Sequence, residues 1–478
     1  MMVNKRLPNA IATAHGLTPE DATLVRKLIK VWQERKPKND LRSLYYLGKE
    51  DPQDLCIAVP PHLRNLRQSI DWSHTAVDAL ASRSRFDSYV SDNEEVAERL
   101  RTISQRNNLV RSYAKAVISE LIHGTSFIAV SRGIDGRAVV RCFPATAGAA
   151  VWNQPEDRIK AGLVIVDTTT NSANVKTPCW VNLYTDTAVV ELKLNKKRNW
   201  EAQYFEHGMG RPTIEPFSYQ ATLERPFGRS RITQGVMDLT DDAIRASRRA
   251  EIAAEFAATT QKYLLGAPDE VFDGRTKWDA ALDTIFAVTR DENGDIPTIG
   301  QFTQPSMQPH VDYFRSLAAR FASETHIPVS MLGVYTDANP QSFEAMRATS
   351  EPLIIDAQNL NMDNARALVN IGLMSLATEN GTSFEEELAK GYIVQPHFKD
   401  PSMPSTASES DGICKQVSSF PWMQWSDVPL EKLGYGEDSM IRLRSDRARV
   451  QSQQTLAEAK AQALVKAGGA TDDSGERL

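Results

Sequence analysis

Long apolar runs and cysteines are scarce in this sequence. None of the apolar stretches in its 478 residues reaches the roughly 18 residues that a membrane-spanning helix requires, and residues 1–8 lack the apolar segment of a secretory signal peptide. The four cysteines lie far apart in the chain: Cys56, Cys142, Cys179 and Cys414. Since no two of them form a CxxC pair, the sequence suggests neither a zinc ribbon nor a dense disulfide framework. We expect reduced, buried thiols in a protein that stays in the cytoplasm where it is made.

A surplus of positive charge is also missing. The chain has 55 Lys and Arg against 61 Asp and Glu, which gives a net charge of −6. Proteins that hold DNA through many phosphate contacts normally have a basic surplus, because their cations replace condensed counterions. The charge balance therefore argues against tight, static DNA binding. Hydrophobic residues make up 41% of the chain, which is enough for about two to four core-forming units.

Sequence motifs of common catalytic and nucleotide-binding sites are absent as well. No GxxxxGK[ST] loop occurs. The segment Gly208–Thr213 begins like GxGxxG, but it lacks the third glycine and places Pro212 where a helix backbone N–H would bind phosphate. The eight histidines never form HExxH, and no GxSxG is complete. We therefore predict neither an enzyme nor a cofactor.

One segment imitates the first half of a calcium-binding loop. Residues 291–295 supply Asp, Glu, Asn and Gly, but Ile296 stands where the loop requires glycine and Phe302 where it requires a bidentate glutamate. The Asn-Gly pair between apolar runs is instead typical of a hairpin turn. His123 and His326 lie beside predicted helix ends, where a backbone hydrogen bond is the ordinary role. We predict no metal site.

The first part of the chain predicts helices joined by short turns. Residues 1–17 are polar and aperiodic, so we expect a flexible start. Thr18 can cap a helix that has Pro19 in its first turn. A break in that helix is predicted at Pro37, and a later helix should end at Gly124.

Short alternating or β-branched runs dominate residues 126–220, which predicts a β-rich region. Within it, the basic segment Lys193–Asn199 lies between two alternating runs. So short a charge run is usually the exposed tip of a hairpin. We prefer that interpretation to the alternative, which is a contact with nucleic acid.

Three long helices are predicted in the second half. Ile232–Leu265 carries a stripe of small residues at helical spacing, which allows close helix packing. After a β-rich insert, a second helix begins at Pro309 and ends before Pro328, so the two helices could return side by side. A short polar loop then precedes Phe343–Thr378, a helix that Pro352 should bend.

The punctuation of this region carries a family resemblance. Its markers are Arg225-Pro226-Phe227-Gly228-Arg229-Ser230, Thr325-His326-Ile327-Pro328 and Asn339-Pro340-Gln341-Ser342-Phe343-Glu344-Ala345. Upstream markers are Tyr45-Tyr46-Leu47-Gly48, Trp72, Val77-Asp78 and Arg83. From about residue 40 to 465, this order of helix, glycine and proline resembles the portal proteins of tailed double-stranded DNA bacteriophages of the long-tailed kind.

The resemblance implies an α+β, mainly helical portal fold with wing, stem, clip and crown, which assembles into a ring with a central channel. Along the chain it implies a flexible N-terminus (1–17), a wing (18–228, helical and then β-rich over 126–220), a first stem helix (229–265), a clip (266–308), a second stem helix (309–327), a tunnel loop (333–342), a long wing helix (343–379), a wing and C-terminal region (380–434), a crown helix (435–467) and a disordered tail (468–478).

The resemblance also implies a function in the virion. Such a ring, usually of twelve subunits, stands at one capsid vertex and lets the genome pass during packaging and ejection. The implied partners are the large terminase, the major capsid and scaffolding proteins, a head–tail adaptor, and double-stranded DNA without sequence specificity, but no membrane. The implied DNA-facing residues are Asp337, Asn339, Gln341 and Ser342 in the tunnel loop, and Arg245, Arg248, Arg249, Arg315 and Arg320 in the stem.

Two other functions stay open at this point. Another virion structural protein, such as a minor head protein, would form no closed ring with an axial hole. A metal-dependent DNA-processing enzyme would need acidic side chains that come together only in the fold, together with a divalent metal. The missing motifs argue against the enzyme.

Overall fold

The computed structural model describes residues 7–52, 67–170, 176–258, 262–265, 298–303, 306–334, 343–402, 406–435 and 437–468. The chain divides into a larger unit, Met1–Pro401, and a smaller unit, Ser402–Leu478. Helices contribute more residues than strands, which confirms the prediction of a mainly helical α+β protein. Cys56, the Asn-Gly hairpin turn at 293–294 and most of the predicted clip lie outside the described residues.

The larger unit begins with helices. Its first elements are α1 (Leu7–Ala12), α2 (Pro19–Tyr46), α3 (Trp72–Ala81), strand β1 (Phe86–Ser91), α4 (Glu94–Arg106) and α5 (Leu109–His123). As predicted, Thr18 caps α2, because its hydroxyl accepts a hydrogen bond from the backbone N–H of Asp21 at 3.2 Å. The prediction for the end of α5 is also confirmed, since Gly124 follows it with a φ of 99°, in the left-handed region that favours glycine.

The middle of the larger unit is β-rich, as predicted. The described strands after α5 are β2 (Thr125–Arg132), β3 (Ala138–Pro144), β4 (Gly148–Asn153), β5 (Arg158–Thr170), β6 (Lys176–Tyr184), β7 (Ala188–Leu194), β8 (Trp200–Glu206) and β9 (Ile214–Ser218). They form two antiparallel sheets with the strand orders β3-β2-β9 and β4-β5-β6-β7-β8. The basic segment is confirmed as the turn between β7 and β8.

Helices also complete both units. The remaining elements of the larger unit are α6 (Gln234–Ala258), β10 (Lys262–Leu265), β11 (Thr298–Gln301), α7 (Gln308–Thr325), a 3₁₀ turn (Val329–Leu332), α8 (Phe343–Asn380), α9 (Phe384–Ala389) and β12 (Val394–Phe398). Strand β10 pairs antiparallel with β11, and β12 pairs antiparallel with β1. The smaller unit contains α10 (Thr406–Ser419), a 3₁₀ turn (Pro421–Trp425), α11 (Val428–Lys432) and α12 (Glu437–Gly468).

Hydrophobic clusters position the elements of the larger unit. The largest cluster gathers side chains from α3 to α8 against the three-stranded sheet. A second cluster packs α1 and α2 on the five-stranded sheet, and a third fills the space between the two sheets. Successive side chains of β5 point to opposite faces of the sheet and so contribute to both clusters: Leu163 belongs to the second cluster and Val164 to the third. Gly162 allows the sheets to approach, since a Cβ there would lie 2.9 Å from Ile214 Cγ2.

Pro37 does not break the first long helix, so that prediction was wrong. Helix α2 runs without interruption from Pro19 to Tyr46 with Pro37 inside it. A proline in a helix interior costs about 3 kcal/mol. The burial of side chains before and after Pro37 in the helix outweighs this cost. Leu28 is buried in the second cluster, and Tyr46 packs against the largest cluster. The proline ring itself lies on the exposed face of the helix.

The start of the chain and the end of α6 also differ from the predictions. Instead of a flexible segment, residues 7–17 include α1, where Ile11 is 0% exposed, and His15, which bridges to Glu201. Six residues are too few to show helical periodicity, so this helix depends on its tertiary contacts. Helix α6 ends at Ala258 and not near Leu265, because residues 262–265 pair with β11 as a strand.

Candidate functional site

Helices α6 and α7 form an antiparallel helix hairpin. The start of α6 lies beside the end of α7, because the hydroxyl of Thr233 is 3.5 Å from Oε1 of Glu324 and a Cβ on Gly235 would lie 3.4 Å from the same atom. At the other end the chain continues into the ribbon of β10 and β11. The side chains that the two helices contribute to the largest cluster are small or apolar: Val236, Met237, Leu239, Ala243, Ala246, Leu317, Ala318, Phe321 and Ala322. The two helices thus return side by side, as predicted.

Contacts with α3 fix the root of this helix hairpin to the rest of the larger unit. The ring of Trp72, at the first residue of α3, lies 5.3 Å from the ring of Phe314 and 5.2 Å from the ring of Phe321, measured between centroids. The hydroxyls of Ser73 and Thr240 are 3.1 Å apart in a buried position. Aromatic pairs of this kind add stability beyond their buried area. They hold α6 and α7 in one orientation relative to α3.

Two of the five predicted stem arginines are engaged inside the protomer. Arg248 is 5% exposed and donates to the backbone oxygen of Pro52 at 3.1 Å and to the carboxylate of Asp51. It therefore does not present its charge to solvent, in contrast to the prediction, and instead connects α6 to the segment after α2. Arg245 forms an ion pair with Asp242 at 2.6 Å, the ordinary i,i+3 pairing on a helix.

The other three predicted arginines are all more exposed than Arg248. Arg320 is exposed on α7, while Arg249 and Arg315 are half-buried. Within the described ranges, neither Arg249 nor Arg320 has an ion-pair partner. The predicted tunnel-loop residues lie outside the described residues: Asp337, Asn339, Gln341 and Ser342. Their contact with DNA stays a prediction.

The structure defines both ends of the loop that precedes α8. The loop follows the 3₁₀ turn at Gly333, whose φ is 76°, and ends where α8 begins at Phe343. Side chains from 345 to 352 are exposed or half-buried, whereas Leu353 is 0% exposed. Pro352 therefore marks the boundary between an exposed first part of α8 and the anchored remainder.

The guanidinium of Arg231 joins four segments beside this boundary. Its side chain is 4% exposed, and Nε donates to the backbone oxygen of Ala76 in α3 at 2.8 Å. Nη1 donates to the Tyr219 hydroxyl at 2.9 Å and to Asp356 Oδ2 in α8 at 3.2 Å, and Nη2 donates to the backbone oxygen of Thr325. Thr325 ends α7, so the cation also faces the negative end of that helix dipole. We call these contacts the Arg231 clasp.

The Arg231 clasp joins the end of α7 to the part of α8 that follows Pro352. Thr325 is the last residue of α7, and Asp356 lies one turn after Pro352 inside α8. His326 has a left-handed φ of 56°, and its Nδ1 is 3.1 Å from the same Asp356 carboxylate. Because Arg231 and His326 meet on one carboxylate, polar contacts connect the end of α7 to α8 at this point.

A second buried polar cluster joins α5 to α8. Glu120 and Asn364 are both 0% exposed, and Asn364 Nδ2 donates to Glu120 Oε2 at 2.9 Å and to the Tyr113 hydroxyl at 3.2 Å. Burial raises the pKa of Glu120 well above its usual value, the hydrogen bond from Asn364 lowers it, and the charge of Asp363 adds to the increase. Among the described residues, Oε1 of Glu120 and Oδ1 of Asn364 find no hydrogen-bond partner. A protonated carboxyl can donate as well as accept, which suits an amide neighbour.

Neither polar cluster could be predicted from the sequence. Arg231 and the exposed Arg229 stand in the same short segment, and no local pattern distinguishes them. Apart from Tyr219, which is 12 residues away, the partners of Arg231 lie 94 to 155 residues away along the chain. Asn364 lies 244 residues from Glu120. Periodicity reports on neighbours within a few turns, so it cannot detect such pairs.

Both histidines singled out in the sequence occupy helix ends, as predicted. His123 also has the expected backbone contact, with Nδ1 3.0 Å from the oxygen of Ser119, whereas the side chain of His326 contacts the Asp356 carboxylate instead. His123 Nε2 is 2.9 Å from Ser43 Oγ, and burial lowers the pKa of His123 to about 4. Across the described part of the chain, no group of three or more His, Cys, Asp and Glu side chains is arranged to hold a metal ion. Within the same ranges, no helix combines the length and the apolar character needed to cross a membrane.

Comparison with known proteins identifies the family. The portal protein of Mycobacterium phage L5 is 26% identical over 421 residues, which cover 83% of this chain and 82% of that protein. The portal protein of Mycobacterium phage D29 is 25% identical over 422 residues, with 81% of each chain covered.

A chain of the solved structure described as "Neck of native GTA particle computed with C12 symmetry" is similar at a TM-score of 0.43 and 12% identity, over 76% of this chain and 89% of that chain. The family described as "Phage portal protein, SPP1 Gp6-like" matches residues 25–419. Because this match spans most of the sequence, the chain belongs to the SPP1 Gp6-like family of phage portal proteins.

Proposed function

We propose that this portal protein forms a ring of twelve copies at one vertex of the phage capsid, through which the double-stranded DNA genome enters and leaves. Its function as a portal in DNA packaging follows from its family and from the named relatives. The observation that carries the ring proposal is the family match over residues 25–419, which includes both helices of the α6–α7 hairpin.

In this proposal each part of the larger unit has an assigned place. The α6–α7 hairpin is the stem, and β10 and β11 with the residues between them form the clip. Residues 18–228 and α8 belong to the wing, and residues 333–342 are the tunnel loop. In the smaller unit, α12 is the crown helix. The antiparallel stem helices and the ribbon at their far end support this assignment.

The charge balance suits a channel in which DNA must slide. A wall with many cations would bind the phosphates tightly through counterion release. The net charge of −6 avoids such binding, while a few exposed cations in each subunit still become complete charged rings in the assembly. Of the five stem arginines, Arg249 and Arg320 are the best supported as such cations, because neither has an ion-pair partner among the described residues, whereas Arg248 and Arg245 are engaged with internal acidic partners.

The partners follow from this position in the particle. The ring would receive DNA from the large terminase, which supplies ATP hydrolysis, and would contact the major capsid and scaffolding proteins. A head–tail adaptor would bind it after packaging. We propose assembly in the host cytoplasm, a final location in the virion, and no catalytic activity of the ring itself.

Imaging of the purified protein tests the proposed ring. Negative-stain electron microscopy with two-dimensional averaging should show rings with a central hole wide enough for a DNA duplex. If the protein alone is monomeric, the same images are taken after addition of scaffolding protein or procapsids. Particles that stay monomeric in both conditions would overturn the ring proposal, and ring mass from native mass spectrometry would give the number of copies.

Charge reversal on the stem tests its role in packaging. The double variant Arg249→Glu, Arg320→Glu should reduce DNA-filled heads at least about tenfold, because each reversed charge is repeated around the ring and acts on phosphates within a Debye length of about 10 Å. The measurement is the yield of filled heads when the variant replaces the portal in infected cells. Arg111→Glu, at an exposed position of α5, is the control. Unchanged packaging with intact rings would contradict a role for these two arginines.

A further inference from the structure

The turn between β7 and β8 presents a rigid basic tip, which we define as residues 195–199. The backbone N–H of Asn195 donates to the backbone oxygen of Asn199 at 2.9 Å, and the N–H of Arg198 donates to the oxygen of Asn195 at 2.9 Å. The side-chain oxygen of Asn195 accepts from the N–H of Asn199 at 2.9 Å. Lys196, Lys197 and Arg198 are all exposed around this hydrogen-bonded frame.

The three cations are not needed to form the turn. Asn195 and Asn199 supply its side-chain hydrogen bond, which is the usual role of asparagine in turns. Arg198 adopts a φ of 60°, a left-handed conformation in which glycine would be relaxed and arginine is not. The backbone conformation therefore does not explain why arginine, and not glycine, occupies this position. Placing three like charges side by side also costs electrostatic free energy.

Neighbouring side chains extend the basic tip along the sheet. Lys193 lies 4.0 Å above the ring of Trp180 and pairs with Glu191. Trp180 in β6 pairs with Lys193 in β7, and the two strands are antiparallel. The start of β6, at Lys176, therefore lies at the same end of the sheet as the turn. Glu201 is the nearby acid that bonds Asn195, at 2.8 Å.

Among the described residues, Lys196, Lys197 and Arg198 have no ion-pair partner. One end of the five-stranded sheet thus carries a local positive charge on a protein that is acidic as a whole.

The chemistry of the basic tip favours a phosphate backbone over a protein partner. Protein interfaces depend on large apolar or aromatic anchors at their centre. Here Leu194 is half-buried and Trp200 is only 8% exposed, so the tip has no such anchor. Lysine and arginine on a two-stranded ribbon match the non-specific contacts that proteins make with DNA phosphates, and a ribbon of this width also fits the major groove.

We infer that the basic tip is a contact for the phosphate backbone of double-stranded DNA, on the five-stranded sheet and not on the α6–α7 hairpin. This inference does not rest on ring formation, because each copy carries a complete tip. It would give the wing a weak, salt-sensitive hold on DNA that does not depend on sequence. In a ring, the contact would be repeated in every subunit and gain strength from multivalency.

Equilibrium binding to a labelled duplex tests the inference. The full-length protein is titrated into a fluorescent duplex of about 30 base pairs, and anisotropy is read at salt concentrations from about 50 to 200 mM. The variant Lys196→Glu, Lys197→Glu, Arg198→Glu should bind at least tenfold more weakly at the lowest salt. The slope of log K against log salt should fall by about two to three, since each lost phosphate contact removes about 0.9 from it.

Two matched variants separate the tip from general charge and from misfolding. Arg26→Glu, Lys27→Glu, Lys30→Glu makes the same charge change on the exposed face of α2 and should shift affinity less than about threefold. The neutral variant Lys196→Asn, Lys197→Asn, Arg198→Gly contains residues that are favoured in turns, so it should fold normally. Its slope of log K against log salt should still fall by most of the amount expected for the glutamate variant.

Equal losses in the tip variant and the α2 variant would overturn the inference, as would no binding by the unmodified protein at about 50 mM salt. Displacement of the duplex by polyglutamate at equal charge concentration would also overturn it and assign the tip to an acidic protein. Ring images are scored separately, so failure of DNA binding and failure of the ring proposal can be told apart.

Discussion

Replacement of Arg231 by methionine is expected to lower the free energy of unfolding by about 3–5 kcal/mol, the range for one partner removed from a buried charge pair. Methionine keeps much of the aliphatic part of the arginine side chain, so the lost stability comes from removal of the guanidinium. The backbone oxygens of Ala76 and Thr325 would lose their donor, and the Asp356 carboxylate, whose side chain is 12% exposed, would keep only His326. Buried acceptors without donors cost about 1–3 kcal/mol each.

Urea unfolding of the full-length protein, followed by tryptophan fluorescence, measures this effect. Arg229→Met is the matched control, because Arg229 is exposed and its contact is a single hydrogen bond to Gln220. It should change stability by less than about 0.5 kcal/mol. Arg231→Lys keeps the charge but loses the planar fork, so it should fall between the two.

The position of Arg231 adds a second expected result. Since the Arg231 clasp joins the end of α7 to the part of α8 that follows Pro352, hydrogen exchange in the methionine variant should accelerate most at residues 326–334 and 353–358. Faster exchange spread evenly over the larger unit would mean that Arg231 supports the core in general. A stability loss equal to that of Arg229→Met would contradict the Arg231 clasp itself.

Replacement of Glu120 by glutamine is expected to remove a pH dependence from the stability of the protein. The folded-state pKa of Glu120 lies well above the unfolded value of about 4.5. The folded protein therefore holds a proton that the unfolded chain releases. The stabilisation is fully present below pH 4.5 and is lost as the pH rises toward the folded pKa, by up to about 1.4 kcal/mol per pH unit.

Glutamine imitates the protonated acid without titrating. Its amide can accept from Asn364 Nδ2 and donate to Asn364 Oδ1, which has no partner in the present structure. The variant should therefore be more stable than the unmodified protein at pH 8 and about equal to it at pH 4.5. Glu120→Ala should be less stable at low pH, because it leaves a cavity and a buried amide without its acceptor.

Urea midpoints measured from about pH 4.5 to 9 give the stability difference between each variant and the unmodified protein. Taking the difference cancels the contribution of other buried acids to the pH dependence. One such acid is Glu50, whose pKa is raised to about 7 by burial. Glu206→Gln, at an exposed position, is the control and should give a difference that is flat with pH. A flat difference for Glu120→Gln would show that Glu120 is ionised in the folded protein.

Several local features could be predicted because their causes lie within a few residues. The hydroxyl cap at Thr18, the helix end at Gly124 and the turn between β7 and β8 all depend on side chain and backbone groups that are near in sequence. The paired helices were visible from a long stripe of small residues and from the proline at the start of α7. Their order along the chain, together with the glycine and proline markers, was enough to indicate the family.

The wrong predictions have a common physical reason. Pro37 breaks a helix when only local free energies count, but burial at both ends of α2 outweighs its cost. Ile11 becomes part of a core only because the five-stranded sheet lies beneath α1. In the sequence, nothing distinguishes Arg248 from other helical arginines. Its burial results from contacts with Asp51 and Pro52, which belong to the segment after α2.

The sequence by itself determined the class of the protein: its helices and strands, its acidic balance, the absence of catalytic motifs and the marker segments of a portal. Only the tertiary structure decided which charges are exposed and which are buried, with Arg231 inside and Arg229 outside, and Glu120 paired with Asn364. The reason is that secondary structure follows from interactions over one or two turns. The ionisation and the partners of a side chain follow instead from burial, which depends on segments far apart in the chain.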